Sequence, residues 1–183
     1  MREKLYDLFW PHLNLENAQN MLRVSVNHLK KLIDKPYGTS FITSSRDRIE
    51  LTGEVESDLL ELIGEIKRFH ACENSDEKEL IARKIGHTFN SSILEGYYSD
   101  WIMSLREELI NSAAPIIKWI AQRYEARNQL MDSILFYKLM LRMLPEEIEL
   151  NQKIAGLYDN LQLKGLAREW HERYKRALNG EDD

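Results

Sequence analysis

A chain of 183 residues with 43% hydrophobic content can bury one sizeable core or two small ones. Its one cysteine, Cys72, excludes an internal disulfide. With no apolar run long enough for a membrane span and no charged-then-apolar leader at Met1, a cytoplasmic location without membrane attachment is expected. The formal net charge of −5 argues against a chain coated with basic residues for wrapping nucleic acid. The charge is nevertheless segregated, because residues 1–50 carry eight Lys and Arg against six Asp and Glu and the acidic excess lies beyond them.

The segment REKLYDLFW places Leu5, Leu8 and Phe9 at helical spacing, and Pro11 stops that helix. Asn14 is the cap expected for the next helix. There Leu22, Val26, Leu29 and Ile33 form a narrow apolar stripe that must pack against something. On the far side, at 100° per residue, stand Asn20, Val24, Asn27, His28 and Lys31, with Arg23 and Lys30 on the flanks. This side is either a solvated polar face or a reading surface. After Lys35, Pro36, Tyr37 and Gly38, the stretch SFITSSRDRIEL sets Phe41, Ile42, Ile49 and Leu51 around the polar centre SSRDR, which predicts a short β-hairpin with a basic tip.

Helix, turn, helix with polar groups outward and basic hairpin is the order of parts in a winged helix-turn-helix. Carboxamides and an imidazole can address base edges, while Lys30, Lys31, Arg46 and Arg48 can offset phosphate charge. LFWP at 8–11, LRVSVNHLKKLI at 22–33 and the hairpin together resemble the winged helix of OmpR-type regulators, in the variant of the Streptomyces antibiotic regulatory protein family. Where that family usually has an arginine, this chain has His28. The resemblance implies double-stranded promoter DNA as a partner, with Asn20, Arg23, Val24, Asn27, His28, Lys30, Lys31, Arg46 and Arg48 as the DNA-binding set. It also implies an N-terminal sheet and a first helix ahead of the segment that begins at Met1. Either the parent chain extends upstream, as a longer signalling or response-regulator protein of which this is a C-terminal fragment, or this is a degenerate remnant. In either case the apolar residues of the first two helices must find other cover.

The remainder reads as helical. Ser57 is expected to cap a helix with Leu59, Leu60, Leu62, Ile63, Ile66 and Phe69 on a broad apolar face. After CENSDEKE a second helix carries Leu80, Ile81, Ile85 and Phe89. In SILEGYYSDWIMSLREEL, Gly96 and two tyrosines form a turn, Ser99 caps, and Trp101, Ile102, Leu105 and Leu109 lead a long helix that Pro115 should end or kink. Beyond it the chain repeats at an offset of 34: Ile120, Ala121 and Tyr124 recur as Ile154, Ala155 and Tyr158, and Ser133 recurs as Ala167. That is the tetratricopeptide period. Small residues let paired helices approach, Tyr124 and Tyr137 fill beside them, and Pro145 opens the next unit. With ILEGYYSDW and the tail AREWHERYKRAL, this half resembles the bacterial transcriptional activator domain that follows the winged helix in the same family.

The expected fold is therefore mainly α. Residues 1–54 are read as a partial winged helix-turn-helix with a small hairpin wing, and residues 55–183 as a tetratricopeptide-like helical domain. That domain would contact other protein domains or RNA polymerase, or pair two copies of the chain. The five histidines show no paired metal-ligand spacing and no Gly-rich phosphate loop is present, so neither catalysis nor a metal or cofactor is expected. His70 near Cys72 reads as an exposed helix end, Glu107–Glu108 and Glu146–Glu147 as solvated acids, and Trp119 and Trp170 as packing residues. Two functions fit: a DNA-binding transcriptional regulator, or a helical-repeat interaction module without DNA binding.

Overall fold

The computed structural model describes residues 2–52, 56–89, 93 and 96–180. Among them the chain is mainly helical, with eight helices and one two-stranded antiparallel sheet. It separates into two compact units, Met1–Ser57 and Asp58–Asp183. The boundary expected at 54 and the Leu94–Glu95 part of ILEGYYSDW lie outside the described residues.

In the first unit α1 spans Arg2–Phe9 and α2 Leu15–Tyr37, and β1 (Ile42–Ser44) pairs with β2 (Ile49–Leu51) in the register Ile42↔Leu51, Thr43↔Glu50, Ser44↔Ile49. α1 stops before Pro11. Asn14 caps α2, its side-chain oxygen accepting from the Asn17 N–H at 2.9 Å, an interaction typically worth about 1 kcal/mol. α2 runs through Pro36, which sits in the last turn where one missing N–H removes a single rung. Gly38, at φ +63°, then turns the chain out of the helix. The Asp34 carboxylate accepts from the Phe41 N–H at 2.8 Å, tying the end of α2 to the hairpin.

The buried core of this unit is Tyr6, Ala18, Leu22, Val26 and Ile42. It departs from the expected stripe in three places. On α1 the buried residue is Tyr6, while Leu8 and Phe9 are each 43% exposed. On α2 Leu29 is 45% exposed, because an eight-residue helix of about 12 Å cannot cover a 23-residue helix of about 34 Å. In the hairpin Leu51 is exposed although its cross-strand partner Ile42, on the same face, is buried.

In the second unit α3 (Asp58–Ala71), α4 (Ser75–Thr88), α5 (Asp100–Ala126), α6 (Leu130–Met143), α7 (Glu149–Asn160) and α8 (Lys164–Asn179) share one continuous core. Asn74 caps α4 by accepting from the Asp76 and Glu77 N–H groups at 2.9 and 3.1 Å. Leu60 and Leu80, expected on the apolar faces of α3 and α4, are exposed; the buried faces run through Leu62, Ile66 and Phe69, and through Ile81, Ala82 and Ile85. At the start of α5 no side-chain bond comes from Ser99; its carbonyl accepts from Ile102 and Met103 instead. Pro115 does not end α5, which continues to Ala126. Ala113, Ile116 and Ile117 around it are fully buried, and their packing outweighs the one lost backbone bond.

The 34-residue offset is repeated in backbone geometry. Asn128, between α5 and α6, has φ 59°, and Gln162, between α7 and α8, has φ 61°. The Gln129 N–H donates to the Tyr124 carbonyl at 2.9 Å, and 34 residues on Leu163 donates to Tyr158 at 3.0 Å. Ala121, Ser133, Ala155 and Ala167 are all buried. Gly86 allows a further close approach: a Cβ there would lie 2.9 Å from Phe136 Cε1 and 3.4 Å from Ile117 Cδ1.

Candidate functional site

The polar side of α2 is not uniform. Asn20, Arg23, Asn27 and Lys30 follow one another at steps of three, four and three residues, so they share one stripe. This stripe forms a wall of an open groove of about 820 Å³. Arg2, Glu3 and Tyr6 of α1 line the groove as well, together with Ser44, Arg46 and Asp47 of the hairpin. Its shape follows from the local folding. Tyr6, Leu22 and Val26 pack in the floor, and the polar residues one turn further round α2 are left at the rim.

At the hairpin tip the Ser45 N–H donates to the Arg48 carbonyl at 2.9 Å, and the Ser45 hydroxyl accepts from the Arg48 N–H at 3.3 Å. Arg46 and Asp47 are thereby held as a two-residue loop facing the groove. Of the nine residues the sequence singles out, five line this groove: Asn20, Arg23, Asn27, Lys30 and Arg46. Val24, His28 and Lys31 are exposed on the neighbouring stripe of α2. Arg48 is also exposed and forms an ion pair with Glu50 at 3.0 Å.

Some donors and acceptors of the stripe engage one another: Arg23 Nη2 donates to Asn20 Oδ1 at 2.9 Å. That contact leaves the Asn20 amide group and most of the Arg23 guanidinium able to meet acceptors in the groove. The lining cations are Arg2, Arg23, Lys30 and Arg46, and the lining carboxylates are Glu3, Glu16 and Asp47. The groove is thus cationic by a single charge and rich in carboxamides. It suits a ligand that presents both anionic oxygens and hydrogen-bonding edges.

Sequence reasoning missed Arg2 and Ser44. Arg2 Nη2 donates to Ser44 Oγ at 2.6 Å across a separation of 42 residues, and no local pattern could announce such a pairing. It also missed the polar centre of the second unit, the buried Glu79. Glu79 accepts from Arg83 at 2.9 Å, Arg123 at 3.0 Å, Arg127 at 2.7 Å and the Tyr124 hydroxyl at 3.3 Å. Burial opposes its ionisation, but the bonds from Arg123 and Arg83, the Arg127 charge and the Tyr124 hydroxyl outweigh it and hold the carboxyl below its ordinary range. Each acid oxygen is taken by guanidinium groups, Arg123 also meets the exposed Asp76 at 2.9 Å, and the arrangement joins α4 to α5.

A second, partly exposed pair joins α7 to α5, where Lys153 meets Glu125 at 2.6 Å and the Tyr137 hydroxyl donates to Glu125 at 3.2 Å. Burial, with the Glu125 charge and hydrogen bond, pushes Tyr137 up to about 12. Among the described residues no group of three or more His, Cys, Asp or Glu could hold a metal ion, and no helix is long and apolar enough to cross a membrane. Comparison with protein-family models, with curated proteins and with solved structures finds no match to this chain.

Proposed function

We propose that the chain is a DNA-binding transcriptional regulator of the Streptomyces antibiotic regulatory protein type. In this reading its first unit is a partial winged helix, with α2 as the reading helix and the β1–β2 hairpin as the wing. The second unit is a tetratricopeptide-like bacterial transcriptional activator domain that contacts other domains, RNA polymerase or a second copy, in the cytoplasm. One observation supports this most: α2 and the hairpin tip bring Asn20, Arg23, Asn27, Lys30 and Arg46 to one groove. These are cations for phosphates and carboxamides for base edges. The repeated turns at Asn128 and Gln162 support the helical-repeat half of the reading.

The test is fluorescence anisotropy of the full chain on promoter-length duplexes over a salt series. The reading requires duplex binding that weakens with salt, as release of counterions from contacted phosphates demands. With only one net positive charge in the groove, affinity at physiological salt should be weak. A second reading, an interaction module without DNA binding, is favoured by the three carboxylates Glu3, Glu16 and Asp47 among the groove cations. It takes over if no duplex binds even at low salt.

A further inference from the structure

We infer that Arg2 is an additional phosphate-binding residue of the groove and that its bond to Ser44 sets the position of the hairpin tip that carries Arg46; the phosphate half of this inference rests on the DNA-binding reading above. Arg2 opens α1 and lines the groove opposite the α2 stripe. Its Nη2 reaches Ser44 Oγ in the last position of β1, two residues before Arg46. A guanidinium has five N–H donors in a planar fork, and here one is used on a hydroxyl. The Nε of the same side chain is buried without a hydrogen-bond partner. A buried donor left unpaired costs stability. That nitrogen is closed to a ligand in the groove, and the Nη donors not spent on Ser44 are the ones an anionic oxygen can meet beside Arg23, Lys30 and Arg46.

The resulting geometry is a clamp with one jaw on α1 and the hairpin and the other on α2. The ligand chemistry is that of a phosphodiester, whose successive anionic oxygens can meet Arg2 and Arg46 on one side and Arg23 and Lys30 on the other. Glu3, Glu16 and Asp47 stand in the same lining. They oppose free polyanions in general and confine attraction to an oxygen seated between the jaws.

The test uses the full chain and the variants Arg2→Ala, Arg2→Lys, Ser44→Ala and Arg2→Ala/Ser44→Ala, with Arg46→Ala as the reference. Binding to a labelled duplex, and to the same sequence as a single strand, is followed by anisotropy between 50 and 200 mM salt. Hydrogen exchange of the amides of residues 44–49 is measured without DNA. Arg2→Ala should lower the salt slope by about one, as Arg46→Ala does, so that the loss of affinity across that range shrinks about fourfold. Arg2→Lys should keep the slope and bind less tightly, because the charge remains and the fork is gone. In the exchange experiment Arg2→Ala and Ser44→Ala should speed the hairpin amides equally, and the double variant should add nothing.

Each failure is separable. If Arg46→Ala lowers the slope and Arg2→Ala does not, the phosphate role of Arg2 is overturned while the DNA-binding reading stands. If the wild type binds neither the duplex nor the single strand, the reading falls and the phosphate role with it. Stronger binding to the single strand supports the clamp and overturns duplex recognition. Hairpin exchange unchanged in Arg2→Ala overturns the positioning role whatever the binding shows.

Discussion

Asn128 and Gln162, 34 residues apart, occupy the same left-handed backbone conformation, at φ 59° and 61°. Each turns one helix back onto the next, and each is followed by an N–H that reaches the carbonyl of the tyrosine before the turn. Only glycine adopts this region without penalty, and asparagine tolerates it better than glutamine does. Gln162→Gly should therefore stabilise the second unit by up to about 1 kcal/mol, and Asn128→Gly by less. Thermal unfolding of the two variants checks the ranking; a loss of stability in Gln162→Gly would show that the turn is held by its side chain.

Ala155 and Ser133 test the close crossings in opposite directions. Both are fully buried. Ala155→Leu should overpack the crossing and cost about 1 to 3 kcal/mol. The Ser133 hydroxyl is buried without a partner, and the position 34 residues on is Ala167. Ser133→Ala should consequently be neutral or stabilising by up to about 1 kcal/mol. Denaturant midpoints measure both, and an unchanged midpoint for Ala155→Leu would remove the close-packed crossing.

Glu79→Gln should destabilise the second unit by about 2 kcal/mol at neutral pH, since three guanidinium groups lose their shared carboxylate. The folded carboxyl titrates below its ordinary 4.5. Its contribution is therefore fully present above that value and is lost as pH falls through the lower, folded value. Urea unfolding of wild type and variant from pH 7 down to pH 3 should show the gap narrowing only below about 4.5. A gap that is constant across the series would mean that charge plays no part.

Substitutions on α2 and the hairpin separate reading from holding. Asn27→Ala should relax sequence preference by about 1 to 3 kcal/mol per lost base contact. Arg46→Ala and Lys31→Ala should weaken all duplexes alike and lower the salt slope by about one. Competition assays with mismatched duplexes, run at two salt concentrations, distinguish the two effects. If all three substitutions leave affinity untouched, α2 presents only a polar face.

Leu22 and Leu29 occupy the same side of α2, yet Leu22 is buried and Leu29 is 45% exposed. Leu22→Ala should cost about 2 to 5 kcal/mol, and Leu29→Ala well under half of that. Equal losses, together with sedimentation as a dimer, would show that a second copy of the chain covers the open flank.

The sequence by itself determined the elements whose signals are local. The Asn14 cap, the hairpin around SSRDR, the mainly helical class and the 34-residue offset all rest on contacts within a few residues or on periodicity, so they are legible in one dimension. Tertiary structure decided which of several equally apolar residues were covered. Tyr6 rather than Leu8 is buried, and Leu60 and Leu80 are left outside, because burial depends on how far a partner helix reaches. It also let α5 run through Pro115, where surrounding packing exceeds one lost hydrogen bond. The site divides in the same way. Eight polar residues and Val24 could be named from helix and hairpin periodicity, but only the packing of α1 against α2 and β1 made a groove that admits five of them. That packing brought Arg2 to Ser44, and the packing of α4 on α5 brought Glu79 to Arg123, over separations of 42 and 44 residues. At that distance along the chain neither partner leaves a mark on the other's local pattern, and only the folded backbone brings them together.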